Sequence, residues 1–261
     1  MTTRRYAAVL FDLDGTLRTN QPDGFEAFIE YASRVGLALN EQQVKICERE
    51  AHRYWASTRV DLDMAHYDTR GFWVNYNQLL LTAMNLGRDC DDCAHRIQDL
   101  FDHYEPQDMV FADSRSVLGT LRAAGYTLGL VSNRTENLGP LAEKYGLAEF
   151  FHFTLSALEA GVYKPEPGIF YMALERAGVK AQDAVYIGDN FFADVVGALN
   201  VGIDAILIDP RDIFDKYYAW RVKQLRDVLG ELDVDQPAHL AVGVAEDSAS
   251  DQHTSGGAGA S

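Results

Sequence analysis

Five short apolar runs punctuate the chain, at residues 6–11, 126–131, 150–155, 184–187 and 205–208. The first shows no polar residue at every second position. Such runs suit strands covered on both faces, as in a parallel sheet. Between the later runs, apolar residues recur at helical spacing. Val117, Leu118, Leu121 and Ala124 predict a helix stopped by Gly125, and residues 137–145 predict another stopped by Gly146. Lys164-Pro165-Glu166-Pro167 opens a third that ends at Gly178, and residues 192–199 form a fourth. Strand and helix in alternation predict an α/β fold, a parallel sheet with right-handed crossovers and helices on both faces. Phe214, Tyr217, Tyr218, Arg221, Leu225 and Val228 outline a final amphipathic helix.

After the first run the grammar changes. Residues 18–24 read as a polar turn punctuated by Pro22 and Gly24. From about 24 to 104 only helical patterns follow. Phe25, Phe28, Ile29 and Ala32 mark a first helix, Asn40 is a candidate N-cap for a second, and Asp68 for a third that ends near Gly87. A fourth runs from about Cys90 to Tyr104. The expected organisation is a discontinuous core, 1–18 and 106–233, interrupted by an inserted α-helical unit over 19–105. Residues 234–261 turn to Ala, Gly, Ser and Asp and read as a disordered tail.

Composition narrows the function classes. The chain has 261 residues and a net charge of −16. That charge disfavours nucleic-acid partners and anionic membranes, both of which need basic patches. An anionic substrate must then be held by a local cation or a metal. Three cysteines (Cys47, Cys90, Cys93) suggest a reducing compartment. With no signal-peptide segment and no run of about 18 apolar residues, the expectation is a cytoplasmic monomer or homodimer.

The strand ends carry the candidate chemistry. The first run stops at Asp12-Leu13-Asp14-Gly15-Thr16, the second at Ser132-Asn133, and the fourth at Gly188-Asp189 with Asp194 five residues on; Lys164 follows the third. In an open parallel sheet these positions lie side by side in one crevice. A carboxylate there can attack phosphorus, giving an aspartyl-phosphate. Attack by one anion on another needs positive charge, which Lys164 and Mg²⁺ held by Asp12 and Asp189 can supply. Ser132 can donate to a phosphoryl oxygen. Asp14 can protonate the leaving oxygen if its pKa is raised. The Cys90-x-x-Cys93 pair alone is weak support for zinc. Trp73, Arg59 and Arg70 are candidates to face a substrate.

In this order and spacing the motifs resemble the haloacid dehalogenase (HAD) superfamily. The resemblance implies a Rossmann-like parallel sheet core and a Mg²⁺-dependent phosphatase acting on a small phosphorylated metabolite, with a phosphomutase or a non-catalytic phosphate-binding protein as alternatives. It implies Asp12 as nucleophile, Asp14 as general acid/base, and Lys164 as catalytic and phosphate-binding together with Ser132 and Asn133. It also implies Asp12, Asp189 and the backbone carbonyl of Asp14 as metal ligands, with Asp194 acting behind them. Branches that cleave carbon–halogen bonds usually lack the second carboxylate, so Asp14 favours phosphate esters. The helical insertion resembles the family's C1-type cap, which closes over the site.

Overall fold

The computed structural model describes residues 5–86 and 92–234. In chain order the elements are β1 (Ala8–Phe11), β2 (Arg18–Gln21), α1 (Gly24–Arg34), α2 (Glu41–Trp55), α3 (Arg59–His66), α4 (Thr69–Ala83), α5 (Cys93–Phe101) and β3 (Gln107–Val110). There follow α6 (Ser114–Ala123), β4 (Thr127–Ser132), α7 (Leu138–Lys144), β5 (Phe153–Ser156), α8 (Ala157–Ala160) and α9 (Pro167–Ala177). Last come β6 (Ala184–Gly188), a π-helical turn (Phe191–Val196), α10 (Gly197–Asn200), β7 (Asp204–Ile208), β8 (Arg221–Val222) and α11 (Val228–Glu231).

Among the described residues, six strands form one sheet in the order β5-β4-β1-β6-β7-β8. Every pairing in it is parallel. β1 lies between β4 and β6, with Leu10 opposite Gly129 on one side and Tyr186 on the other. All four of its residues are buried, which is why it reads as an unbroken apolar run. Its alternate side chains feed two cores: Val9 and Phe11 join one sheet face, Ala8 and Leu10 the other. The carboxyl ends of β1, β4 and β6 therefore emerge together.

Among the described residues, five helices occupy the stretch between β2 and β3 and pack a third core around Phe28, Leu80, Leu81 and Ile97. Asn40 caps α2 through a reciprocal capping box with Gln43, and Asp68 caps α4 by accepting from Gly71 N. The expected stop at Gly87, the helix start near Cys90 and the tail from Asp235 lie outside the described residues. Cys93 is buried in the third core and disulfide-bonded, so its sulfur is committed. No helix among the described residues is long and apolar enough to cross a membrane.

Two expectations are corrected. The first four residues of the expected polar turn over 18–24 instead form β2, paired antiparallel with β3 as a separate two-stranded ribbon, Arg18 opposite Val110 and Gln21 opposite Gln107. The final amphipathic helix does not form. The buried Asp209 carboxylate accepts from Ile213 N (2.8 Å) and Phe214 N (2.9 Å), which turns the chain. Arg221 and Val222 then add β8 to the sheet beside β7. The helical spacing of Phe214, Leu225 and Val228 is coincidental, since their side chains bury from turns, a 3₁₀ turn and the short α11.

Candidate active site

Asp12 follows β1, and its backbone N–H donates to Ile187 O (2.9 Å), so the chain is still held by β6 where the carboxylate begins. Lys164, from the loop before α9, reaches it: Nζ lies 2.6 Å from Asp12 Oδ1, 2.7 Å from Asp194 Oδ1 and 3.0 Å from Tyr186 Oη. All three donor positions of the ammonium are thus spent. Lys164 is buried, as are Asp12 and Asp194. Asn133 fixes the lysine's backbone from both sides, accepting from Lys164 N (2.6 Å) and donating to Lys164 O (2.9 Å). Asn133 also lines the cavity, where the expectation had it meet substrate. Its amide braces the Lys164 backbone and keeps one N–H free. Ser132 ends β4 and lines the same cavity.

Asp189 sits one residue beyond β6 and accepts from Thr16 Oγ1 at 3.3 Å. Gly15 lets the two loops approach. Its φ is +80°, and a Cβ there would collide with the Asp189 carboxylate. Gly188 likewise leaves room for the Asp194 carboxylate. Replacing Gly15 with alanine should cost about 1–3 kcal/mol from backbone strain alone, before the collision is counted. Urea denaturation would measure this, and a variant as stable as the parent would show that the loop gives way freely.

Oxygens of Asp12, Asp189 and Asp194 can lie within 4.8 Å of one another. Three carboxylates thus converge while one ammonium faces two of them, an excess of negative charge that suits a divalent cation. Burial raises the Asp12 carboxyl to about 7; Lys164 opposes this, and Asp194 and Asp14 add to it. Burial, then Asp12 and Asp194, push Asp189 well above the usual carboxylate range. A bound cation would relieve both.

The side chain of Asp14 is turned away from this cluster. Arg134 Nε and Nη2 grip it at 2.7 and 2.8 Å, and Arg18 Nη1 at 2.6 Å. Burial alone would raise its pKa, but the two guanidiniums outweigh that and hold it below the ordinary value. The raised pKa that a resting general acid needs is absent, because two cations converge on one carboxylate. Sequence reading missed Arg18, Arg134 and Tyr186. Arg134 directly follows Ser132-Asn133, and Tyr186 carries the one polar tip of β6; each was a signal of a kind.

A cavity of about 1110 Å³ opens above these groups. Its floor is Asp12, Ser132, Lys164 and Asp189, and its far wall comes from the helical insertion, including Trp55, Trp73 and Tyr76. The insertion is tied down at this wall: Asn190 Nδ2 donates to His52 O (3.1 Å), and Arg49 Nη1 donates to Ile213 O (2.8 Å). Of the candidates on the insertion, Trp73 does face the cavity. Arg59 pairs with Asp63, and Arg70 with Asp99 and Asp102.

A parallel sheet whose central strand ends in a buried carboxylate, bonded to lysine and beside two further carboxylates, defines a class of hydrolase. The haloacid dehalogenase-like hydrolase family model matches residues 6–202. The chain belongs to that family. It is 29% identical over 207 residues to haloacid dehalogenase-like hydrolase domain-containing protein 3 of Danio rerio, covering 78% of this chain and 85% of that protein. It is 28% identical over 218 residues to a ribulose-1,5-bisphosphate 5-phosphatase of Halopiger xanaduensis, covering 80% and 87%. A crystal structure of a HAD phosphatase from Thermococcus onnurineus shares the fold, with TM-score 0.51, 23% identity, and coverage of 88% of this chain and 99% of that one.

Proposed function

We propose that the chain is a Mg²⁺-dependent phosphatase that hydrolyses a small phosphorylated metabolite through an aspartyl-phosphate on Asp12. The observation that carries this reading is the buried Asp12 carboxylate, bonded to Lys164 at 2.6 Å and set among Asp189 and Asp194. A relative named a phosphatase, matched over 80% of this chain and 87% of its own, supports it.

An oxygen of Asp12 attacks phosphorus, and the P–O bond to the alcohol breaks. Lys164 is a compact cation able to neutralise Asp12 and a phosphoryl oxygen together. Ser132, at the end of β4, is placed to donate to another. Asp12, Asp189 and the backbone carbonyl of Asp14 would hold Mg²⁺, with Asp194 fixed behind them by Lys164 and by Asn190 N at 3.0 Å. When bound, the ion supplies the positive charge that an anionic nucleophile and an anionic phosphate both require. Asp14 serves the leaving oxygen, and then the attacking water, as acid and base. For that role it must first give up a guanidinium. Arg134 is the partner that an incoming phosphate can draw off, since it lines the cavity and is the more exposed of the two. The helical insertion then acts as a cap that excludes water and selects substrate.

Phosphate release from p-nitrophenyl phosphate should fall to background in EDTA and return when Mg²⁺ is added in excess. Full turnover in the presence of EDTA would sink the metal-dependent reading. No partner other than the small metabolite is proposed.

A further inference from the structure

The far wall of the cavity carries chemistry that the phosphoryl-transfer reading leaves unused. Helix α2 turns Glu48, Ala51, His52 and Trp55 toward it, at the i, i+3, i+4, i+7 spacing of one helical face. Glu48 is only 3% exposed. Its Oε1 accepts from Arg211 Nε at 2.7 Å and from Arg211 Nη2, while Oε2 is buried with no partner. Nδ1 of His52 is also buried with no partner. Burial and the Arg211 charge lower the imidazole to about 4, so it is neutral at pH 7. Buried polar atoms without partners are few in native structures and each calls for a reason. Here two stand on one wall of one cavity. Burial raises the Glu48 carboxyl and Arg211 opposes this; held ionised by that guanidinium, its free oxygen only accepts, so the missing partner is a donor.

Charge gives a second, independent observation. Among the described residues, eight acidic and four basic side chains line the cavity. The basic four are all engaged. Lys164 holds Asp12 and Asp194, Arg18 holds Asp14 and Asp108, Arg134 holds Asp14 and Glu136, and Arg211 holds Glu48 and Glu26. A second anionic group on the substrate would find a surplus of carboxylates. The third observation is apolar: Trp55 and Trp73 line the same cavity, each 38% exposed, with ring centroids 6.0 Å apart.

Resting on the phosphatase reading above, we propose that the substrate is a monophosphate ester whose remaining part is uncharged and hydroxyl-bearing. Glu48 accepts from a hydroxyl, and the Trp55–Trp73 wall covers a C–H face. Esters bearing a carboxylate or a second phosphate are discriminated against. A sugar phosphate and the ribose of a nucleoside monophosphate share this chemistry.

The test compares kcat/KM for glucose 6-phosphate, ribose 5-phosphate and AMP with that for 2-phosphoglycolate, 3-phosphoglycerate and ribulose 1,5-bisphosphate, with p-nitrophenyl phosphate as reference. The best neutral ester should exceed the best anionic one about tenfold or more. The sugar and nucleotide arms identify the source of the hydroxyls. Glu48→Gln should shift the ratio of ribose 5-phosphate to 2-phosphoglycolate about tenfold toward the acid, mainly through KM. Preference of the parent enzyme for an anionic ester overturns the proposal, and so does an unchanged ratio in a folded Glu48→Gln variant. If that variant does not fold, the parent's ratio decides alone. Absence of turnover on every ester, p-nitrophenyl phosphate included, overturns the phosphatase reading and this inference with it.

Discussion

Replacing Asp12 with asparagine should lower phosphate release from p-nitrophenyl phosphate by on the order of 1,000-fold or more, the scale expected when a covalent nucleophile is lost. The amide keeps the shape of the side chain but has no anionic oxygen to attack phosphorus. The fold should survive. Lys164 retains Asp194 at 2.7 Å and Tyr186 at 3.0 Å, and the substitution removes one of three crowded carboxylates. Urea denaturation should therefore find the variant no less stable than the parent in metal-free buffer. Activity within about tenfold of the parent, in a folded variant, would eliminate Asp12 as the nucleophile and the aspartyl-phosphate with it.

The largest effect on stability is expected at Lys164. Lys164→Met removes the one ammonium bonded to Asp12 and Asp194, both of them buried. Removing one partner of a buried ion pair costs about 3–5 kcal/mol. The sign with pH follows from burial, which already raises Asp12 to about 7 against the pull of this lysine. Without Lys164 that opposing pull is gone. A carboxyl whose folded pKa lies above its unfolded value of about 3.9 binds more protons folded than unfolded, so stability falls as pH rises across that interval. The deficit relative to the parent should therefore be larger at pH 8 than at pH 5. Urea denaturation at both values, without metal, measures it. A deficit that is equal at the two pH values, or absent, would mean that the three carboxylates do not share the electrostatic environment described here.

The convergence of Asp12, Ser132, Lys164 and Asp189 was legible in the sequence for a physical reason. Buried parallel strands must be apolar throughout, so the first polar residue after each run marks a carboxyl end, and those ends adjoin. What escaped reading depends on partners far away in the chain. β2 and β3 are short and mostly polar, and their pairing rests on backbone hydrogen bonds that leave no apolar pattern. β8 has only two residues, too few to carry a period. The electrostatics of Asp14 depend on Arg134, 120 positions later, whose approach only the fold decides. Asn133 sits in the expected place and also braces the Lys164 backbone, a task that no local sequence pattern announces.

The ribbon formed by β2 and β3 has a consequence for how this chain can vary. The chain leaves for the helical insertion along β2 and comes back along β3, and neighbouring strands lie only about 5 Å apart. To the six-stranded sheet the whole excursion is a loop with adjoining ends. A helical unit of another size, or a plain turn, could be spliced between Gln21 and Gln107 without moving β1, β4 or β6. The hydrogen bonds from Asn190, Arg49 and Arg211 would have to be rebuilt, but the chain path through the catalytic sheet would not. If the insertion selects substrate as proposed above, grafting other insertions onto this ribbon should exchange selectivity while Asp12, Lys164 and Asp189 stay in place.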